Sequence, residues 1–241
     1  MREVDFHSHT LFSRCGLHSV IEMLTHAKRA GLTGLAITDH GPMLKGSTPS
    51  TFFDRLAQPL DGITMLKGME CNIKNDDGEI DFPLPYLRFA DIVLLGLHPG
   101  NAPGLSRESY TSLMLRALDK NPFVDIVTHP EDPAFPLDLM QLADYASDHG
   151  IALEINNSKA LYKRFHVKET IALIEACKKA GCRVAVDSDA HAFQEIGLDS
   201  SVLPLLERAK FPEGLIMNAT AEGAFGFVEE RRKIKKEFIK S

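Results

Sequence analysis

Tryptophan is absent and aromatic residues make up only 7% of the chain, so few side chains exist to build the stacking platforms that single-stranded nucleic acids need. Positive charge is also short: 27 Lys and Arg against 33 Asp and Glu leave a net charge of −6, whereas a grip on a phosphate backbone calls for a basic excess. Both shortages argue against a nucleic-acid partner. The one basic run, Arg231, Arg232, Lys233, Lys235 and Lys236, is spaced with Ile234, Phe238 and Ile239 as a terminal amphipathic helix, and its charges are expected on a solvated face. No apolar run approaches the roughly 18 residues of a membrane span, so no membrane partner is expected. The four cysteines, Cys15, Cys71, Cys177 and Cys182, form neither a C-x-x-C pair nor a secreted framework, which predicts reduced thiols. Cys177 and Cys182 fall where a helix hands over to a strand and should be buried. The opening Met-Arg-Glu-Val-Asp-Phe-His lacks the shape of a signal peptide, and a cytoplasmic location is expected.

What is present is a recurring unit: an apolar, β-branched run that stops at a polar or ionisable residue and gives way to a helical pattern. The runs are Glu3–His9, Gly34–His40, Ile63–Ile73, Asp91–His98, Val124–His129, Ile151–Asn157 and Arg183–His191. Helical periodicity marks Val20–Ala30, Arg107–Lys120, Leu137–His149 and Val167–Ala180, with Gly31, Gly150 and Gly181 placed where a helix end wants a left-handed residue. Alternation of this kind predicts a parallel sheet with right-handed crossovers. Seven strands without a dinucleotide-type glycine fingerprint favour a (β/α)7 barrel, and 241 residues suit one domain, 1–241. The Ser-, Thr- and Pro-rich segment 46–61 is expected as a long loop at the mouth of the site.

In a parallel barrel the C-terminal strand ends carry the chemistry. Here those ends bear His7 and His9, Asp39 and His40, Glu70, His98, His129, and Asp189 with His191. Side chains two apart on a strand share a face, so His7 pairs with His9 and Asp189 with His191. A lone strand-end histidine is more often a satisfied polar group than a ligand; six of the chain's 10 histidines at such ends are a different matter. Converging imidazoles and carboxylates suit Zn2+, Mn2+ or Fe2+, and the eight groups besides Asp39 exceed the needs of one ion. His26 lies inside a helix and His149 at a helix C-terminus, both structural positions. His166 follows Lys159, Lys163 and Arg164 in a loop that either faces the site or does not. Asp39 is read either as a group orienting an imidazole or as a turn cap. Arg14, beside Cys15, is a candidate phosphate contact or a surface residue.

Taken in order, Asp5-Phe6-His7-Ser8-His9-Thr10, Ala36-Ile37-Thr38-Asp39-His40-Gly41, Gly68-Met69-Glu70, Gly96-Leu97-His98, Thr128-His129-Pro130 and Asp187-Ser188-Asp189-Ala190-His191 resemble the PHP (polymerase and histidinol phosphatase) superfamily. The likeness looks closest to its small stand-alone phosphatases, because Glu70 is followed by Asn72-Ile73-Lys74-Asn75 and Gly78-Glu79-Ile80-Asp81 and the sixth strand reads Leu153-Glu154-Ile155-Asn156-Asn157-Ser158. The resemblance implies a distorted seven-stranded (β/α) barrel around a trinuclear centre, usually of zinc, with manganese or iron in some members. It implies His7, His9, Glu70 and Asp189 on one metal, Glu70, His98 and His129 on a second, and His40 and His191 on a third. The family usually places a histidine where this chain has Cys15; His18 lies three residues on, so Cys15 or His18 would complete the third set. The implied activity is hydrolysis of phosphate esters by a metal-activated hydroxide acting on a small phosphorylated substrate, with histidinol phosphate or a nucleotide ester as alternatives. Two rivals remain. An amidohydrolase also opens with His-x-His but typically bridges its metals with a fourth-strand lysine, where this chain has His98. A non-catalytic metal-binding scaffold should have lost ligands, and this chain retains them.

Overall fold

A computed structural model describes residues 2–100, 104–161 and 166–240. Seven strands, β1 (Val4–Asp5), β2 (Gly34–Ile37), β3 (Thr64–Asn72), β4 (Ile92–Gly96), β5 (Ile126–Val127), β6 (Ala152–Asn156) and β7 (Val184–Asp187), form one sheet in chain order, and every pair of neighbours is parallel. Each lies within a predicted run and is shorter than it; at β1, β2, β4, β5 and β7 the ionisable residues that end the run fall beyond the strand, whereas Glu70 stays in the ladder of β3. The helices are α1 (Val20–Arg29), α2 (Ser50–Asp54), α3 (Arg107–Lys120), α4 (Leu139–Asp148), α5 (Ser158–Leu161), α6 (Val167–Ala180), α7 (Leu203–Arg208) and α8 (Ala221–Lys240). Their ends follow local chemistry: Ser19 and Glu22 form a capping box at α1, Asp138 accepts from Met140 and Gln141 at α4, and Gly181 closes α6 at φ 66°.

Between β1 and β7 a side chain does what a ladder does elsewhere. Asn218 donates from Nδ2 to the carbonyls of Val4 (3.0 Å) and Val186 (2.8 Å), while its Oδ1 accepts from Val186 N (2.9 Å). Higher up, His9 N donates to Ala190 O at 2.8 Å, and Asp5 Oδ1 accepts from Ser188 N at 3.1 Å. These bonds bring the first and last strands together and nearly close the barrel.

Period-two alternation sorts each strand. Ala36, Leu66, Ile92, Leu94, Ile126, Ala152 and Ala185 fill the lumen, and Phe227, Val228 and Ala224 of α8 plug its N-terminal end. On the other face, a larger apolar layer packs under the helices and includes Cys71, Cys177 and Cys182, all fully buried. The terminal helix corrects the expectation of a wholly solvated basic face. Arg231 and Lys235 are buried, and both bond Asp125, which sits just before β5. The local pattern could not reveal Asp125, which lies more than a hundred positions away. The segment 46–61 is corrected too: it contains α2, whose Phe52 and Phe53 enter the core, and none of it lines the cavity described below.

Candidate metal centre

The lumen's parity continues upward into chemistry. From Ala36 the same face carries His40; from Leu66, Glu70; from Ile92 and Leu94, His98; from Ala152, Glu154 and Asn156; and from Ala185, Asp189. Glu70, on β3, stands at the centre. Its Oε1 lies 3.0 Å from His129 Nε2 and 3.2 Å from His98 Nε2, while its Oε2 lies 2.8 Å from His40 Nδ1, 3.4 Å from His7 Nε2 and 3.6 Å from His9 Nε2. One carboxylate thus faces two groups of imidazoles, one with each oxygen. The His40 contact is close but not a hydrogen bond: His40 Nδ1 and Glu70 Oε2 are both buried without a hydrogen-bond partner. Orphaned buried polar atoms of this kind are costly unless something else satisfies them.

The tautomers can be deduced. Glu154 Oε1 accepts from His7 Nδ1 at 2.7 Å, so the His7 proton sits on Nδ1. Ser13 Oγ donates to Asp39 Oδ1 (2.6 Å) and must therefore accept from His9 Nδ1 (2.9 Å). Both histidines are left with Nε2 lone pairs directed at each other across 3.0 Å, with Asp189 Oδ1 3.1 Å from His9 Nε2 and 3.5 Å from His7 Nε2. Two facing lone pairs beside two carboxylates need positive charge between them, as a proton or as a cation. The titration of the site agrees. Burial disfavours charge on His7, yet Glu154, Glu70 and Asp189 raise it well above its ordinary value. Burial, then His40 and His191, hold His9 well below. Burial opposes ionisation of Glu70, but His98, His7 and His40 outweigh it and depress its pKa. Donor chemistry, orphaned atoms and facing lone pairs all fit borderline divalent cations.

Three sets of donor atoms gather within 4.8 Å of one another: His7, His9 and Asp189; His40, Glu70 and His98; and His9, Cys15, His40 and His191. Cys15 therefore joins the cluster. Partial desolvation disfavours the thiolate of this exposed residue, but hydrogen bonds with His191 and His40 bring the thiol down to about 6. His18 does not join: its ring packs on Phe193 at 4.3 Å and its Nδ1 accepts from Phe193 N at 3.3 Å. Asp39 accepts from Thr10 N (2.6 Å), Ser13 N (3.1 Å) and Ser13 Oγ (2.6 Å), which puts it in the turn and one hydroxyl away from His9. Arg14 is exposed and lies outside the cavity lining. His166 is exposed at the N-cap of α6 and does not line the cavity either, while Lys163 and Arg164 lie outside the described residues. His149 bonds Tyr145 O at 2.8 Å and His26 packs against Phe193, both structural.

His7 and His9 meet by a route the strand period does not supply. Regular β1 ends at Asp5, and the consecutive Phe6 and His7 both turn inward, one against Phe227 and the other against Glu154. Two other cluster residues sit at positive φ, His129 at 34° and Asp189 at 50°, a conformation that β-carbon crowding makes uncommon and that recurs at functional sites. Gly96 leaves room for the imidazoles: a β-carbon there would meet Thr128 Oγ1 at 2.5 Å and His98 Cε1 at 2.8 Å. Sequence reasoning gave no role to Ser13, Glu154 or Asn156. Glu154 Oε2 also accepts from His129 N (2.7 Å), and Asn156 Nδ2 bonds both Glu154 Oε2 (3.0 Å) and Asp189 Oδ2 (3.2 Å). A charged residue in the middle of the apolar run 151–157, on the lumen-facing parity, was the available signal.

Above the cluster opens a cavity of about 830 Å³, walled by Leu17, Leu97 and Phe135 and bordered by Gln194 and an ion pair between Lys159 and Asp132. A volume of this size admits a small organic molecule.

The parallel α/β barrel thus gathers imidazoles, carboxylates and a thiol under an open cavity at the usual C-terminal face, a donor set suited to cations. Residues 5–186 match the PHP domain family, and the chain belongs to it. It is 36% identical over 232 residues to a probable phosphatase of Shewanella sediminis, covering 95% of this chain and 94% of that protein. A probable phosphatase of Caldanaerobacter subterraneus subsp. tengcongensis is 35% identical over 235 residues, covering 95% of this chain and 92% of that one. Among solved structures, the histidinol phosphate phosphatase of Lactococcus lactis, complexed with zinc, L-histidinol and phosphate, has a TM-score of 0.65 at 17% identity over 88% of this chain and 95% of its own. A chain in archaeal ribonuclease P with mature tRNA has a TM-score of 0.56 at 14% identity, covering 99% of this chain and 93% of that chain. These likenesses show the fold, which by itself neither requires nor excludes an RNA partner.

Proposed function

We propose that this chain is a metal-dependent hydrolase of small phosphate esters, working at a cluster of up to three zinc ions, with manganese or iron as alternatives. The observation that carries the proposal is the division of Glu70: one oxygen among His98 and His129, the other among His7, His9 and His40. That arrangement suits a bridging carboxylate between two cations. His7, His9 and Asp189 would complete the first position, His98 and His129 the second, and His40, His191 and Cys15 would hold a third. Divalent cations so placed supply an ionised water near neutral pH and positive charge against the phosphoryl oxygens.

The chain's own groups do the rest. Glu154 and Ser13 fix the His7 and His9 tautomers, Asn156 holds Asp189, and the apolar wall of Leu17, Leu97 and Phe135 bounds one side of the space for the substrate. The curated relatives bear the name phosphatase, and the Lactococcus neighbour makes histidinol phosphate one ester to try, with nucleotide monoesters beside it. The amidohydrolase alternative finds no support at β4, whose residues Ile92–Gly96 contain no lysine to bridge two ions. Metal quantification on purified protein, with a panel of phosphate monoesters, amides and lactones across pH, tests the proposal. Phosphate release that follows metal content is expected. Turnover of amides or lactones without any phosphate ester, in fully metallated protein, would reverse it.

A further inference from the structure

We infer that the corner made by Cys15, His40 and His191, bordered by His9, is a sulfur-containing cation site that selects a thiophilic ion such as zinc, whereas the carboxylate corners around Glu70 and Asp189 also accept harder ions such as manganese. The inference deepens the proposed hydrolase reading and rests on it. Its basis is the unequal chemistry of the three donor sets. Each of the other two sets contains a carboxylate; this one has none and offers the thiol of Cys15 with the imidazoles of His40 and His191, His9 standing beside them, all with donor atoms within 4.8 Å of one another. Thiolate ligands favour zinc and similar ions, while carboxylate oxygens suit manganese and magnesium.

The corner is built rather than accidental. His191 commits Nδ1 to the carbonyl of Asp189 at 2.9 Å and so presents Nε2, whereas His9, its Nδ1 committed to Ser13 and its Nε2 serving the first position, only borders this corner. The loop carrying Cys15 is pinned on either side. Ser13 is bonded by Asp39, and Leu17 N donates to His191 O at 2.8 Å. Gly16 lets the loop fold so tightly that a β-carbon there would fall 2.3 Å from Thr10 O. Cys15 is thus held over the two histidines, at the edge of the cavity.

The test loads metal-free protein with Co2+ and records its absorption spectrum. Wild type should show a near-ultraviolet sulfur-to-cobalt charge-transfer band together with the visible cobalt bands. Cys15→Ala should lose the first and keep the second, and its other three cysteines, all buried, serve as an internal control. In parallel, zinc-loaded protein dialysed against excess Mn2+ should retain about one zinc per chain in wild type and none in Cys15→Ala. Cobalt bound with no charge-transfer band, or equal zinc retention in both proteins, would overturn the inference and leave the hydrolase reading intact. A charge-transfer band in protein that cleaves no phosphate ester would do the opposite. No cobalt uptake at all would end both.

Discussion

Single atoms decide this site. The Glu70 carboxylate stands between two groups of imidazoles, so Glu70→Gln, which keeps the shape and surrenders one oxygen to an amide, should strip both adjoining positions. Metal content is expected to fall by about two ions per chain, with phosphatase activity lost; stoichiometry equal to wild type would show that Glu70 bridges nothing. Ser13 acts at one remove. Its hydroxyl accepts from His9 Nδ1 and His40 N while donating to Asp39, which uses its whole bonding capacity. Ser13→Ala frees the His9 ring to turn and should weaken metal binding by about 10–100-fold, the usual effect of losing such a support. Circular dichroism should be unchanged, and Ser13→Thr should restore binding. If a metal titration of Ser13→Ala gave the wild-type affinity, the hydroxyl would be only a turn cap.

At the level of strands and helices, the seam between β1 and β7 depends on one residue outside both. Truncating Asn218 leaves the buried carbonyls of Val4 and Val186 and the N–H of Val186 without their partner, at about 1–3 kcal/mol each before relaxation. Asn218→Ala should therefore lower the stability to urea by about 3 kcal/mol or more. A change below about 0.5 kcal/mol would mean that the strands hold each other unaided. The same seam shows what local sequence can and cannot tell. His40, Glu70, His98 and Asp189 were legible because each continues a two-residue alternation that begins with an apolar lumen residue. α1, α3 and α6 were legible to within a residue through periodicity and through Gly31 and Gly181. Asn218 was not, since nothing near it in the chain names Val4 or Val186 as its partners. Glu154 escaped for the same reason: its bond to His7 spans 147 positions. Positive φ at His129 and Asp189 is imposed by what surrounds them, and side-chain identity does not announce it.

For the molecule as a whole, the barrel has an ionisable mouth and a plugged floor, and the floor carries its own buried charges. Arg231 Nε donates to Asp125 Oδ1 at 2.9 Å and Lys235 donates to Asp125 Oδ2, while the Arg231 fork also serves the carbonyls of His149, Pro122 and Val124. Two cations share one carboxylate, so the partners are unequal. Asp125→Ala strands both cations and should cost roughly 3–5 kcal/mol, whereas Lys235→Met keeps the volume, leaves Asp125 its arginine, and should be neutral or stabilising near pH 7. The pH dependence separates these cases further. Burial pulls the Lys235 ammonium below its ordinary value of 10.5, with Asp125 pulling the other way. The folded chain therefore releases this proton at a lower pH than the unfolded chain, and between the two values the unfolded chain holds more protons. Stability from this group must then rise with pH across that alkaline window, being lowest when the lysine is charged in both states. The difference in unfolding free energy, wild type minus Lys235→Met, should climb as urea titrations move from about pH 7 toward pH 10. A difference that stays flat, or a Lys235→Met protein as unstable as Asp125→Ala at neutral pH, would mean that the floor of the barrel depends on the lysine's charge rather than tolerating it.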